Sequence, residues 1–207
     1  AIVRKTVELL NVGVVGIGEY SHIPTIWGPT INPAYPDVWP IETSRMRISH
    51  CWDSRPEVAA DFAKKYSCET VKNYSDMVGR VDGMIFGSFY ESKWWHLLTK
   101  PYLEAGIPSF INRPFSLSMK HARQMVETAR AHNTPILCTD EREYIKETPI
   151  ARWKVEELLK SGKTIIGVNS DNNAGEYPAH GIHGLYFLLA ALGMQVERAG
   201  FQGDGWW

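Results

Sequence analysis

The stretch VGVVGIGEYSHIP, residues Val12–Pro24, decides the fold of this chain. Its apolar beginning, Val12–Val15, predicts a buried strand, and Gly16 and Gly18 follow that strand immediately. In a dinucleotide-binding turn the first glycine permits the bend and the second lets the backbone approach a pyrophosphate, which binds at the next helix N-terminus. Ser21 takes the place of a third glycine and is small enough for close helix packing. The stretch therefore predicts a dinucleotide site, although such a turn also occurs in α/β proteins without a nucleotide.

An acidic residue, Asp53, follows the second predicted strand, Met46–Trp52. A carboxylate at this position accepts hydrogen bonds from ribose hydroxyls and repels a 2′-phosphate, which favours NAD. Asp53 lies further from Gly18 than the usual spacing of about 20 residues, because a proline-rich segment intervenes. Ser54 and Arg55 could instead bind a 2′-phosphate, which leaves NADP open. The alternative for Asp53 is a plain helix N-cap.

Strand patterns alternate with helix patterns over the first two thirds of the chain. Further strands are predicted at 82–87, 109–111 and 135–139. This alternation predicts βαβ units and a parallel sheet with helices on both faces. We therefore assign residues 1–143 to a doubly wound α/β domain with a parallel sheet and residues 144–207 to the start of a second domain. In the second domain the pattern predicts a strand at Thr164–Asn169 and an apolar helix at His183–Leu192.

The composition excludes several classes of protein. The formal net charge of −1 gives no reason to expect a nucleic acid or an anionic membrane surface as partner. No apolar run approaches the roughly 20 residues of a membrane span. The three cysteines, Cys51, Cys68 and Cys138, form no C-x-x-C pair, so we expect neither a disulfide framework nor a zinc site. Without a signal-peptide pattern at the N-terminus, a cytoplasmic location is expected.

Four segments in order resemble the glucose–fructose oxidoreductase and inositol dehydrogenase (Gfo/Idh/MocA) family of NAD(P)-dependent enzymes. They are VGVVGIGEYSHIP, CWDSRPEVAADFAKKY, DGMIFGSFYESKWWHLLTKPYLEAGIPSFINRPFSLSMKHARQMVETA and HGIHGLYFLLAALG. The resemblance implies a Rossmann domain followed by an α/β domain with an open, mostly antiparallel sheet. That second domain normally exceeds the residues that remain here, so we expect a truncated chain, with a drastically reduced second domain as the alternative. The resemblance also implies NAD or NADP as cofactor, a sugar or polyol as substrate, and a homo-oligomer.

The glycine turn, the acid and the resemblance together give a set of cofactor-binding candidates. In the family a strand ends in a small residue and proline, a histidine follows in the next helix, and Glu-Lys-Pro follows the next strand. The candidates are Gly16, Ile17, Gly18, Glu19, Tyr20, Ser21, Asp53, Ser54, Arg55, Ser88, Phe89, His96, Asn112 and Arg113. His96 has local packing or capping as its alternative.

Arg113 takes the place of the family's lysine, which lies near the nicotinamide and the substrate hydroxyl and helps proton transfer. A guanidinium stays protonated at physiological pH, so it cannot relay a proton, but it can anchor an oxygen by paired hydrogen bonds. Asn112 replaces the glutamate and removes a charge. The alternative is a family member without turnover that binds dinucleotide or sugar as a sensor or assembly partner.

The segment HGIHGLY resembles the family's Asp-x-Gly-x-His segment, which is followed three residues on by an acid or a tyrosine. Gly181, His183 and Tyr186 match this pattern, and Ala179 replaces the aspartate. The resemblance implies that His183 is the catalytic histidine. A near-neutral imidazole can accept the alcohol proton as the hydride leaves, or return it during reduction. We therefore assign catalysis to His183 together with Arg113.

His180 is an additional imidazole, and we assign it, with Tyr186, to substrate binding. Two alternatives are open for the histidines. They could cap the helix or lie in its core, or the H-x-x-H spacing could bind a metal with Glu176 or Asp171. No third ligand has a firm spacing, so no metal is assigned.

Overall fold

The structure, a computed structural model, describes residues 9–18, 46–89, 91–170 and 181–193. Contacts divide the chain into two compact units, Ala1–Thr139 and Asp140–Trp207. The boundary between residues 143 and 144 stays a prediction. The described strands are β1 (Leu10–Val15), β2 (Met46–Trp52), β3 (Glu69–Thr70), β4 (Gly83–Phe86), β5 (Ser109–Ile111) and β6 (Ile136–Leu137). The described α-helices are α1 (Pro56–Tyr66), α2 (Trp95–Leu98), α3 (Lys100–Glu104), α4 (Met119–Ala131), α5 (Glu147–Lys160) and α6 (Gly181–Leu192).

The six strands form one parallel sheet in the order β3-β2-β1-β4-β5-β6. The chain leaves β1 toward β2 on one side and later crosses from β3 to β4 on the other. The strand order therefore reverses at β1, as in a doubly wound Rossmann sheet. This result confirms the α/β fold predicted for the first domain.

The core lies on both faces of the sheet because side chains alternate along each strand. Val14 and Val15 are both fully buried, but they belong to different clusters. Val14 packs in the cluster under α1, which includes Phe62. Val15 packs in the larger cluster around Phe86, whose ring meets Trp95 edge to face with centroids 5.6 Å apart. Both faces are therefore covered, which explains why the segment Val12–Val15 of β1 is apolar without alternation.

The helices after β4 show how proline and glycine divide this segment. The helical segment is divided near Pro101, since α2 ends before Thr99 and α3 has Pro101 in its first turn. Gly106 follows α3 with φ +75°, a conformation that suits glycine and ends the helix. The chain then enters β5, so these helices carry the crossover between β4 and β5.

The described part of the second unit contains α5, α6 and a 3₁₀ turn at Glu141–Glu143. The strand predicted at Thr164–Asn169 is wrong, because this stretch has no regular structure and Ile166 is 98% exposed. A strand requires a partner to bond its backbone groups, and no described strand pairs with this segment. An antiparallel sheet is not among the described residues. None of the described helices has the length and apolar content needed to cross a membrane.

Candidate functional site

The centre of the site is the turn that follows β1. Gly16 has φ +72°, which confirms the predicted glycine bend. A Cβ added at Gly16 would lie 2.9 Å from the Cβ of Ser88 and 3.2 Å from the Ser88 backbone nitrogen. Ser88 follows β4 and is fully buried. The turn and the end of β4 therefore meet so closely that a side chain at residue 16 has no room.

Asp53 binds this turn from the end of β2. Its Oδ2 accepts the backbone N–H groups of Ile17 at 2.9 Å and of Gly18 at 3.1 Å. Its Oδ1 accepts the backbone N–H of Arg55 at 3.0 Å and the Arg55 Nε–H at 3.1 Å. Because the Asp53 side chain is fully buried, these four donors replace its hydration. The carboxylate holds the glycine turn against the start of α1.

The alternative of a plain helix N-cap for Asp53 is wrong, because Arg55 is the N-cap residue of α1 and no side chain caps the helix. Asp53 instead bonds Arg55 two residues on, in an Asx-turn arrangement. The N–H groups of Ile17 and Gly18 bind Asp53, so any phosphate contact made by the backbone of this turn would come from residues after Gly18. The candidates there, Glu19, Tyr20 and Ser21, lie outside the described residues.

Arg55 fills the space beside the second glycine. A Cβ added at Gly18 would lie 1.7 Å from Nη2 of Arg55, whose side chain is one-third exposed. This places a guanidinium against the turn while its Nε–H bonds Asp53. The arrangement puts positive charge where an anionic group next to Gly18 would be neutralised.

Glu91 is a site residue that the sequence reasoning missed. It lies after β4 and is fully buried. The Ser54 hydroxyl donates to its Oε1 at 2.8 Å, while among the described residues its Oε2 has no hydrogen-bond partner. That Oε2 lies 3.1 Å from the position of a Cβ at Gly16. A signal was present in FYESKWW, where a carboxylate stands close behind a buried strand in an otherwise aromatic segment.

The ends of β4 and β5 are tied together by Asn112. Its backbone N–H donates to the Phe86 carbonyl at 2.8 Å, and its side-chain Nδ2 donates to the Gly87 carbonyl at 2.7 Å. Arg113 follows, is 7% exposed, and precedes a cis bond to Pro114. Asn112 and Arg113 therefore lie buried at the carboxyl edge of the parallel sheet. Phe89, which follows β4, lies at the same edge and is half-buried.

His96 packs on another histidine. Its ring stacks on that of His121, in the first turn of α4, with centroids 3.5 Å apart and planes 11° apart. Burial first, and then the nearby His121 charge, lower the pKa of His96 from its ordinary value of 6.5. His96 is therefore biased toward the neutral form. Contact between His96 and a cofactor stays a prediction.

Within the second unit, His183 and Asp140 form a buried pair. The Nδ1 of His183 pairs with Oδ2 of Asp140, and the two residues are 5% and 2% exposed. Oδ1 of Asp140 accepts the backbone N–H of Arg142 at 2.9 Å. The carboxylate is thus fixed by the backbone and can orient the imidazole, with Nδ1 as the donor. Tyr186 stands one turn further along α6 and is partly buried.

Asp140 was also missed, although a signal was present. It follows a short strand in the segment CTDERE, a common place for a polar site residue in a parallel sheet. His180, Asp171 and Glu176 lie outside the described residues. Within the described ranges, no group of three or more His, Cys, Asp or Glu side chains could hold a metal ion. Arg113 and His183 belong to different compact units, each described by itself.

The geometry of the first unit fits a dinucleotide. Its glycine turn lies where the strand order reverses, which is the ligand crevice of an open α/β sheet. A buried carboxylate oxygen of Glu91 lacks a donor beside that turn in the described part of the chain. Ribose hydroxyls supply such donors. The Arg55 guanidinium beside Gly18 suits the negative charge of a pyrophosphate.

A family model described as an oxidoreductase family with an NAD-binding Rossmann fold, Gfo/Idh/MocA, matches residues 10–139. Three similar solved structures illustrate the fold. An oxidoreductase from Thermotoga maritima has a TM-score of 0.62 at 16% identity, covering 90% of this chain and 60% of its own. The myo-inositol 2-dehydrogenase from Lactobacillus plantarum has a TM-score of 0.57 at 15% identity. The match covers 73% of this chain and 42% of the dehydrogenase chain.

The third is a biliverdin reductase from Synechocystis sp. PCC 6803, in complex with biliverdin and NADP+. It has a TM-score of 0.55 at 12% identity, covering 72% of this chain and 43% of its own. The chain thus spans about two-fifths of the length of two of these proteins and 60% of the third. No curated protein sequence matches it. At these identities the likeness concerns the fold.

Proposed function

Because the chain belongs to the Gfo/Idh/MocA family of oxidoreductases with an NAD-binding Rossmann fold, we propose that the whole protein is an NAD(P)-dependent dehydrogenase or reductase. Its substrate would be a sugar, a polyol or a related hydroxy or keto compound. The observation that carries the proposal is the glycine turn at Gly16, placed where the strand order reverses and held there by Asp53. An inositol dehydrogenase among the similar structures supports the substrate class.

The first unit would hold the cofactor with residues around the turn. Gly16 lets β1 approach the end of β4, and Arg55 offers a cation beside Gly18. Ser54 and Glu91 offer a hydroxyl and a carboxylate to ribose hydroxyls. A bound nicotinamide would accept or donate the hydride. NAD is favoured over NADP because the buried Glu91 carboxylate would repel a 2′-phosphate nearby.

The proton would move through His183. Asp140 fixes Nδ1 as the donor side of the ring, so Nε2 is the atom that would exchange a proton with the substrate oxygen. Arg113 would hold a substrate oxygen by hydrogen bonds and would stay charged throughout. His180 and Tyr186 would contact the substrate. The homo-oligomer that the family implies is part of the same proposal.

A second candidate is a family member without turnover that binds dinucleotide or sugar. Asn112 favours this non-catalytic candidate, because its side-chain amide has a structural role, donating a hydrogen bond to the Gly87 carbonyl. Arg113 favours it as well, because a guanidinium cannot take part in proton exchange. In this case the glycine turn would still bind dinucleotide, but no alcohol would be oxidised.

The test is turnover of a panel of sugars and cyclitols with NAD+ and with NADP+, followed by the absorbance of the reduced nicotinamide. We expect oxidation of at least one compound by the parent protein. The Arg113→Lys variant is the matched comparison, because it restores the family residue. If only Arg113→Lys is active, the parent is not an enzyme and the second candidate stands.

A further inference from the structure

We propose that Glu91, and not Asp53, is the acid that recognises the adenosine ribose of the dinucleotide. This inference rests on the proposed function, since it concerns the same cofactor site. Sequence spacing pointed to Asp53, the acid at the end of β2. The hydrogen bonds that Asp53 and Glu91 make favour Glu91 as the ribose-binding acid.

Asp53 has no capacity left for a ribose. A carboxylate offers about four acceptor positions, two on each oxygen. Oδ2 already accepts from Ile17 and Gly18, and Oδ1 accepts twice from Arg55. A ribose hydroxyl could bind Asp53 only by displacing one of these donors, three of which are backbone groups of the turn and of the α1 start. Asp53 is therefore a positioning residue.

Glu91 has the opposite properties. It is fully buried, and in the described ranges the Ser54 hydroxyl is the one donor that its carboxylate receives. A buried carboxylate is stable only when several hydrogen-bond donors replace water. The Oε2 atom can therefore accept a hydrogen bond from a further hydroxyl or N–H group, such as one from a ligand. This atom is next to Gly16, on the side where β4 ends.

The position of Glu91 selects the ligand chemistry. Ser54 directly follows Asp53 at the carboxyl end of β2, which is where a Rossmann sheet holds the adenosine ribose. The Ser54–Glu91 hydrogen bond brings the Glu91 carboxylate to that strand end from β4. A vicinal diol supplies hydroxyl donors to such a carboxylate. A 2′-phosphate supplies only acceptors and negative charge, so the same residue would weaken the binding of NADP relative to NAD.

The experiment compares NADH and NADPH binding by the folded wild-type chain and by Glu91→Gln, using calorimetry. The glutamine keeps the shape and removes the charge. We expect Glu91→Gln to bind NADH about tenfold or more weakly, with no such loss for NADPH, so that the preference for NADH shrinks. Asp53→Asn is the matched control, expected to weaken both cofactors alike and to lower the Tm.

A second measurement does not depend on the variant folding. The wild-type chain is titrated with the NADH analogue that lacks the 2′-hydroxyl of the adenosine ribose, and we expect at least about tenfold weaker binding than for NADH. Equal affinity for the analogue, or an unchanged NADH preference in Glu91→Gln, overturns the role of Glu91 while leaving the proposed function intact. A folded wild-type chain that binds neither cofactor overturns both.

Discussion

One oxygen of the Asp53 carboxylate accepts the backbone N–H of Ile17 at 2.9 Å, so the end of β2 holds the turn that follows β1. The bond joins residues 36 positions apart and is buried. It fixes the glycine turn before any ligand is present, which lowers the conformational cost of binding. The acid that sequence spacing assigns to the ribose thus serves the architecture of the site.

Asp53→Ala is expected to lower the free energy of unfolding by about 3 kcal/mol, because it leaves buried backbone donors of the turn without an acceptor. Urea unfolding measures the change. Asp82→Ala is the control, since Asp82 also accepts a β1 backbone N–H, from Asn11 at 2.7 Å, but at an exposed position. We expect a loss below about 1 kcal/mol there. Unchanged stability in Asp53→Ala together with lost NADH binding would return the ribose role to Asp53.

Gly16→Ala is expected to destabilise the fold more than Gly79→Ala. Both glycines have similar positive φ, +72° and +76°, so both variants bear about 1–2 kcal/mol of left-handed strain. Only Gly16 also meets Ser88, at 2.9 Å, whereas a Cβ at Gly79 meets nothing within 4 Å in the described part of the chain. Urea unfolding of the two variants isolates the contact with Ser88. Equal losses in the free energy of unfolding would mean that the end of β4 shifts to accommodate the new Cβ. The close approach of Gly16 to Ser88 would then not contribute to stability.

His183→Ala is expected to reduce kcat about 10²- to 10⁴-fold, the usual contribution of a general acid or base, with NADH affinity unchanged. Asp140→Asn should give a smaller loss, because the imidazole remains but its orientation is less well fixed. Leu185→Ala, at an exposed position on α6, is the control. Steady-state kinetics on a substrate found among the sugars and cyclitols gives the kcat of each variant. Full activity in His183→Ala would show that His183 is not the acid or base.

The protein is expected to lose stability on acidification in part through His96. Burial and the neighbouring His121 lower the pKa of His96, so between that lowered pKa and 6.5 the unfolded chain binds more protons than the folded one. Stability therefore rises with pH through this window and is lost as pH falls. We expect the decrease in Tm between about pH 7.5 and about pH 5.5 to be smaller in His96→Gln. His132→Gln, at an exposed position after α4, should behave like wild type. An equal decrease in His96→Gln would mean that the His96 pair does not contribute.

Local sequence patterns were sufficient for the elements that bury apolar side chains. The bounds of β2 and β5 agree with the prediction because each is a short run that ends in polar or turn residues. Hydrogen bonds made by side chains were harder to predict. Asp53, for which a helix N-cap was the alternative, bonds the glycine turn and does not cap α1.

Glu91 and Asp140 could not be assigned from spacing, because their partners are distant in the chain. Ser54 lies 37 positions from Glu91, and His183 lies 43 positions from Asp140. Each pairing depends on which strands become neighbours, and strand order is a property of the whole sheet. The segment at Thr164–Asn169 shows the reverse case, in which a strand-like pattern has no described strand to pair with.

Dinucleotide binding by the first unit can be measured by titrating the folded chain with NADH and with NADPH in a calorimeter. Circular dichroism first establishes that the chain is folded. We expect micromolar binding of NADH and weaker binding of NADPH, because the Glu91 carboxylate would repel a 2′-phosphate. A folded chain that binds neither would contradict the proposed dinucleotide binding and leave the Gly16 turn as a purely structural feature.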